Sequence, residues 1–164
     1  KALFDSPTPQ TRKVALRISF VLGKDGGALP VIQNLAQKGL CGKQASGEQW
    51  MSWIHVHDFI SAIDFIITSD LEGPINVTAP NPVQNQPFYQ SLADQIKPWI
   101  RLDQPKWMLE LGAMMLQTET ELVLKSRKVA PQRLLEAGFP FEYSYIQDAF
   151  EELLRKKEPA SSYV

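Results

Sequence analysis

Residues 14–22 read VALRISFVL, a nearly unbroken apolar run interrupted only by Arg17 and Ser19. Such a run, rich in β-branched and aromatic residues, marks a strand covered on both faces, the situation inside a parallel sheet. The turn-rich DSPTPQ at 5–10 opens it and GKDGG at 23–27 stops it. Parallel strands need long, usually helical crossovers, and the sequence supplies them. ALPVIQNLAQK (28–38) has helical spacing with Pro30 tolerated in the first turn. A glycine-rich loop, GLCGKQASG (39–47), leads to MSWIHVH (51–57), whose alternation predicts a short strand. Asp58 is then placed as the N-cap, worth about 1 kcal/mol, of an apolar helix FISAIDFIIT (59–68). INVT (75–78) is a second core strand, and PFYQSLADQI (87–96) a helix ended by Pro98. The expectation is an α/β fold in which residues 14–20 and 75–78 are parallel neighbours with helix 59–68 packed on them.

Beyond Pro98 the chain turns helical. PKWMLELGAMML (105–116) carries three of the four methionines, ELVLK (121–125) is ambiguous, and PQRLLEA (131–137) is a short helix closed by Gly138. Residues 144–157 predict a helix capped by Ser144, with Ile146, Phe150 and leucines on one face, and 158–164 a frayed tail. The 164 residues suit one ordinary domain. Seventeen basic against eighteen acidic residues give a net charge of −1, with no basic run to hold nucleic acid. Cys41 is the single cysteine, so no internal disulfide forms, and no Cys/His cluster has zinc spacing. No apolar stretch approaches the roughly 20 residues of a membrane span. These features predict an intracellular, cytoplasmic protein without membrane contact. The opening Lys1-Ala2-Leu3-Phe4 reads as a helix cut in its middle, and twelve prolines fit a piece of something larger.

Chemistry-bearing residues are few. His55 and His57 flank Val56, and in one strand they point to opposite faces, which argues against shared metal ligation. The simpler role for His55 is a partly buried histidine bonded to backbone or to Asp58; the sharper one is an acid or base. Gly26-Gly27 after a strand lets backbone approach a phosphate, although a plain turn is the commoner use. Phe59 and Phe65 are expected in the core, and Trp50 at a pocket rim. No nucleophile–base pattern occurs.

Four segments in order resemble the second half of an extended short-chain dehydrogenase/reductase of the NAD-dependent epimerase/dehydratase-like family. The strand with Arg17 precedes Val21-Leu22 and Gly26-Gly27. Then come Gly47, Gln49, Trp53-Ile54-His55 and Asp58, followed by Gly73-Pro74, Asn76, Pro80, Pro82 and Val83. Finally KVAPQRLLEAGFPFEY (128–143) is similar to the small C-terminal domain of nucleotide-sugar-epimerase-like proteins. The family's GxxGxxG turn and catalytic Tyr-x-x-x-Lys do not occur in this sequence, which therefore resembles a C-terminal portion.

That resemblance implies a fold: the C-terminal part of a Rossmann-like doubly wound sheet (1–98) plus a small helical substrate domain (99–157). It also implies a function within an NAD(P)-dependent oxidoreductase or epimerase. Ser19, Phe20 and Val21, at the C-terminal end of a parallel strand, line the cofactor side. Gly26, Gly27 and Leu29 form the substrate-side turn, with Gln49 and Trp53 opposite. NAD or NADP serves the full-length protein, and this chain alone is expected to bind neither. Partners are the N-terminal Rossmann half and a small-molecule substrate, a carbonyl compound or sugar nucleotide. The uncovered sheet surface invites a homodimer. The contrasting function is a non-catalytic protein-interaction module using the Met-rich helix.

Overall fold

The computed structural model describes residues 10–105 and 126–155. The start at 1–4, the Met-rich helix, the 121–125 segment and the tail lie outside the described residues. The elements run β1 (Val14–Ile18), β2 (Phe20–Leu22), α1 (Leu29–Gln37), β3 (Trp50–Met51), β4 (Trp53–His55), α2 (Val56–Thr68), β5 (Gly73–Val77), β6 (Val83–Gln84), α3 (Asn85–Ile96), α4 (Gln132–Glu136) and α5 (Ile146–Leu154).

Three two-stranded ladders hold the strands: β1 with β5, β2 with β4, and β3 with β6. The predicted parallel pair is present, with Val14 opposite Gly73 and Ile18 opposite Val77. The apolar run is not one strand, however. It changes partner at Ser19: the Ser19 amide donates to the Val77 carbonyl and the Phe20 amide to that of Ser52, each at 3.2 Å. From there β2 runs parallel to β4, Leu22 opposite His55. Nor is the run buried throughout. Leu16 and Ile18 are 37% and 52% exposed, and full burial arrives only at Leu22. Among the described residues β1 has β5 as its strand partner, and the face that carries Leu16 and Ile18 is left partly exposed.

The predicted strand 51–57 is likewise divided, and the cause is Ser52. Its hydroxyl donates to the Arg127 carbonyl at 2.8 Å and accepts from the Val129 amide at 3.0 Å. Before it, β3 pairs antiparallel with β6; after it, β4 pairs with β2. The following helix starts at Val56, earlier than expected, because His55 is the N-cap: its Nδ1 accepts from the His57 amide at 3.1 Å. Asp58 therefore sits in the first turn and is not the cap. Ser144 is not a cap either; Tyr145 holds that position without a side-chain bond. Gly138 does end α4, at φ +80, with the Phe139 amide returning to the Leu134 carbonyl. At the end of α3 the left-handed Lys97 already stops the helix before Pro98 acts.

Two apolar clusters fill the interior. Leu22, Leu29, Trp53, Phe88, Leu92, Ile146, Phe150 and Leu153 join α1, α3 and α5 to the ends of β2 and β4. Ile54, Ala62, Ile66, Ile75, Val77, Leu134 and Phe139 pack α2 and α4 against β4 and β5, with Phe59 and Phe65 against them. Arg133 fastens α4 to the sheet by donating to the carbonyls of Glu72 and Pro74.

Backbone bonds tie the glycine-rich loop to residues 102–104, and side chains add to them: the Lys43 amide donates to Asp103 and the Gln44 amide to Asn85. Gly42 donates to Leu102, Leu102 to Gly39, Ala45 to Gln104 and Gln104 to Lys43. At Gly42 an alanine Cβ would meet the Leu102 carbonyl oxygen at 2.5 Å and the Asp103 amide nitrogen at 2.6 Å, whereas at Gly26 it would meet nothing within 4 Å. Gly42→Ala is expected to lower stability by about 1–3 kcal/mol, as overpacking against backbone does. Gly26→Ala should leave the urea midpoint nearly unchanged.

Candidate functional site

Parallel sheets of this kind place ligands beyond the carboxyl ends of their strands. Here β2 and β4 end side by side at Leu22 and His55. The Ser19 hydroxyl is occupied, donating to Val77 at 3.3 Å, and Phe20 and Val21 are half-buried. Gly26 and Gly27 form an exposed turn that folds back on the strand through a bridge between Gly27 and Leu22. Gly27 adopts φ +73, a conformation glycine takes without cost. Leu29 is buried beneath the turn. Trp53 is fully buried, its indole donating to the Asn81 carbonyl at 3.1 Å. Leu29 and Trp53 thus share one cluster, with Phe20 packed against it.

Gln49 belongs to a different, polar assembly. Its amide donates to the Gln44 carbonyl at 2.9 Å. The Gln44 side chain donates to the Tyr89 hydroxyl at 2.7 Å and accepts from Asn85 at 3.1 Å. Burial pushes the Tyr89 hydroxyl far above its ordinary pKa, with the Gln44 bond acting the other way, so it remains a neutral donor and acceptor. Trp50 is half-buried, and Lys128 Nζ stands 4.2 Å from its ring centroid. That contact is a cation–π pair brought from far along the chain.

The structure also assembles a cluster that no spacing in the sequence announces. His55 is 3% exposed. Its Nε2 lies 3.1 Å from Glu152 Oε2, and Glu152 Oε1 lies 2.6 Å from Lys24 Nζ. The Tyr143 ring stacks on the imidazole at 3.8 Å. Burial lowers the His55 pKa, the Glu152 bond pulling it partly back. The Lys24 bond, foremost, lowers that of Glu152. Beside it the buried Asp58 carboxylate accepts the amides of Glu142 and Tyr143 at 3.0 and 2.9 Å. Expected to cap its own helix, Asp58 instead clamps the segment ahead of α5. With 97 positions between His55 and Glu152, no local signal announces their contact. Among the described residues no group of His, Cys, Asp and Glu is suited to a metal ion, and no helix is long and apolar enough to cross a membrane.

A mixed α/β framework with paired parallel strands and helices packed on them is the class defined so far. Comparison refines it. Residues 104–153 match the family described as Domain of unknown function (DUF1731). The chain is 38% identical over 149 residues to the epimerase family protein SDR39U1 homolog, chloroplastic, of Arabidopsis thaliana, covering 88% of this chain and 41% of that relative. The crystal structure of human epimerase family protein SDR39U1 (isoform 2) with NADPH superimposes with a TM-score of 0.84 at 26% identity, covering 93% of this chain and 52% of that one. A nucleoside-diphosphate sugar epimerase from Corynebacterium glutamicum gives a TM-score of 0.65 at 31% identity, over 87% and 26%. The family resemblance read from the sequence therefore holds: the chain is similar to part of Rossmann-fold epimerase family proteins, and its residues 104–153 match the DUF1731 family. It spans about half the length, or less, of the relatives it matches.

Truncating Asp58 tests the clamp. Asp58→Ala leaves two backbone amides without their charged acceptor, an expected loss of about 3 kcal/mol in urea unfolding. A lost helix cap would cost only about 1 kcal/mol. Asp58→Asn, which keeps one carbonyl acceptor, should fall between wild type and alanine.

Proposed function

We propose that this chain supplies the substrate-side wall of an NAD(P)-dependent epimerase or oxidoreductase, acting on a small carbonyl compound or sugar nucleotide. In this reading residues 1–98 are the late strands and helices of the Rossmann-like domain, and 99–157 the small substrate-side domain resting on them. Ser19, Phe20 and Val21 border the nicotinamide end of the cofactor. The Gly26-Gly27 turn and Gln49 face the substrate, while the buried Leu29 and Trp53 form the floor that fixes them. The glycine-rich dinucleotide turn and the catalytic tyrosine and lysine come from an N-terminal half of the same protein. That half would cover the exposed Leu16 and Ile18 and the groove that Val14, Leu16, Ile63, Ile66 and Ile67 line.

The observation that carries this reading is the 0.84 superposition on an NADPH-bound epimerase family protein of roughly double the length. It agrees with the chemistry of the chain. A dinucleotide needs backbone amides of a glycine-rich turn and a helix N-terminus for its pyrophosphate, and the sequence holds no such fingerprint. The remaining edge contacts must still offset an association cost of several kcal/mol.

Calorimetric titration with NADP(H) and NAD(H) tests the assignment. The 164-residue chain alone should give no saturable binding, and the same chain joined to its N-terminal half should bind in the micromolar range. Phe20→Ala in the joined protein should weaken that binding. Saturable micromolar binding by the chain alone would place the cofactor elsewhere and overturn the reading.

A further inference from the structure

His55 is held by a bond at each ring nitrogen. Nδ1 accepts the His57 amide that starts α2, so the ring proton resides on Nε2, which points at Glu152 of α5. The Tyr143 ring covers one face. The charged groups around it are Lys24 after β2, Glu152 on α5, Asp58 and His57 on α2, and Glu142 ahead of α5, which pairs with His57 at 3.2 Å.

We propose that Lys24, Glu152 and His55 form an acid-released latch. With a neutral imidazole it helps to seat α5 and the Glu142–Tyr143 segment on the carboxyl edge of β2 and β4; a second proton on the ring weakens that seating. A second proton has one place to go, Nδ1, where it would confront the donating His57 amide and break the cap. The imidazolium so formed would be buried, and the carboxylate nearest to it is already engaged by Lys24. In the opened state the same ring meets water and takes its proton at the ordinary pKa near 6.5.

The sign follows from the depressed pKa of the seated ring. The latch is at full strength above about pH 6.5 and weakens as pH falls below it, by at most about tenfold per pH unit until the seated pKa is reached. Glu152, also depressed, gives up its contribution only below the ordinary carboxylate range near pH 4.5. A window between pH 7.5 and 5.5 therefore isolates the imidazole. The device depends on this geometry alone and stands whatever cofactor or substrate the protein takes.

Hydrogen exchange read by mass spectrometry, corrected for intrinsic rates, tests it on peptides spanning residues 139–154. Protection there should drop, by up to about tenfold, between pH 7.5 and 5.5 and recover on return. His55→Asn, whose side-chain oxygen can still cap α2, should be flat across the window, and His57→Asn should retain the drop. Nitrogen NMR of the wild-type ring provides a readout that needs no variant, with a bare Nδ1 and a protonated Nε2 at pH 7.5. PH-independent protection in wild type, a drop that survives in His55→Asn, or a His55 that is protonated at Nδ1 at pH 7.5 would each overturn the proposal.

Discussion

The structure turns on one buried carboxylate. Asp58 lies in the first turn of α2, 1% exposed, and its two oxygens take the amides of Glu142 and Tyr143. A buried charge is tolerable only when its lone pairs are satisfied, and here the partners lie more than eighty residues downstream. The clamp sets where the chain enters α5, which in turn sets where Glu152 meets His55. Phe150 of the same helix packs edge-on against Phe88 of α3, their centroids 5.1 Å apart. Apolar packing supplies the bulk of the attachment, and the carboxylate supplies its register.

Elsewhere, too, polar groups position what apolar contact holds. Arg12 donates to the carbonyls of Ile67 and Leu71 around the end of α2, and Arg133 does the same beside β5. Around Gln44, the side chains of Gln49, Asn85 and Tyr89 close a network on the loop that follows α1. No buried side-chain nitrogen or oxygen among the described residues lacks a hydrogen-bond partner. Side chains thereby fix a loop with little regular secondary structure, because leaving any one of these groups unpaired would cost about 1–3 kcal/mol.

Local patterning made the framework legible. The parallel pairing of β1 with β5, helices α1 to α3 and the Gly138 stop all follow from periodicity and turn chemistry. Motif order carried the family resemblance. Periodicity did not reveal that Ser19 and Ser52 divide their strands, since both divisions depend on partners distant in the chain. Asp58 was recognisable as a helix-start residue, yet the amides that it accepts belong to another segment. Lys24, His55, Tyr143 and Glu152 carry no shared spacing, so only the folded chain brings them together. Of the residues expected to line a ligand site, Leu29 and Trp53 are buried in one apolar cluster, a distinction that alternation alone cannot draw.

The bonds of Ser52 also have a history in time. Its hydroxyl waits for a carbonyl 75 positions later and an amide 77 positions later. On a ribosome, which delivers residues in order, β3 and β4 emerge long before the segment that separates them. Until then the stretch around Trp50 and Trp53 is an apolar chain with an unanswered hydroxyl at its centre. Contacts of such long range must close large loops before they return any stability, which slows folding. The strand edge at Ser52 is thus completed only once residues 127–129 have been made.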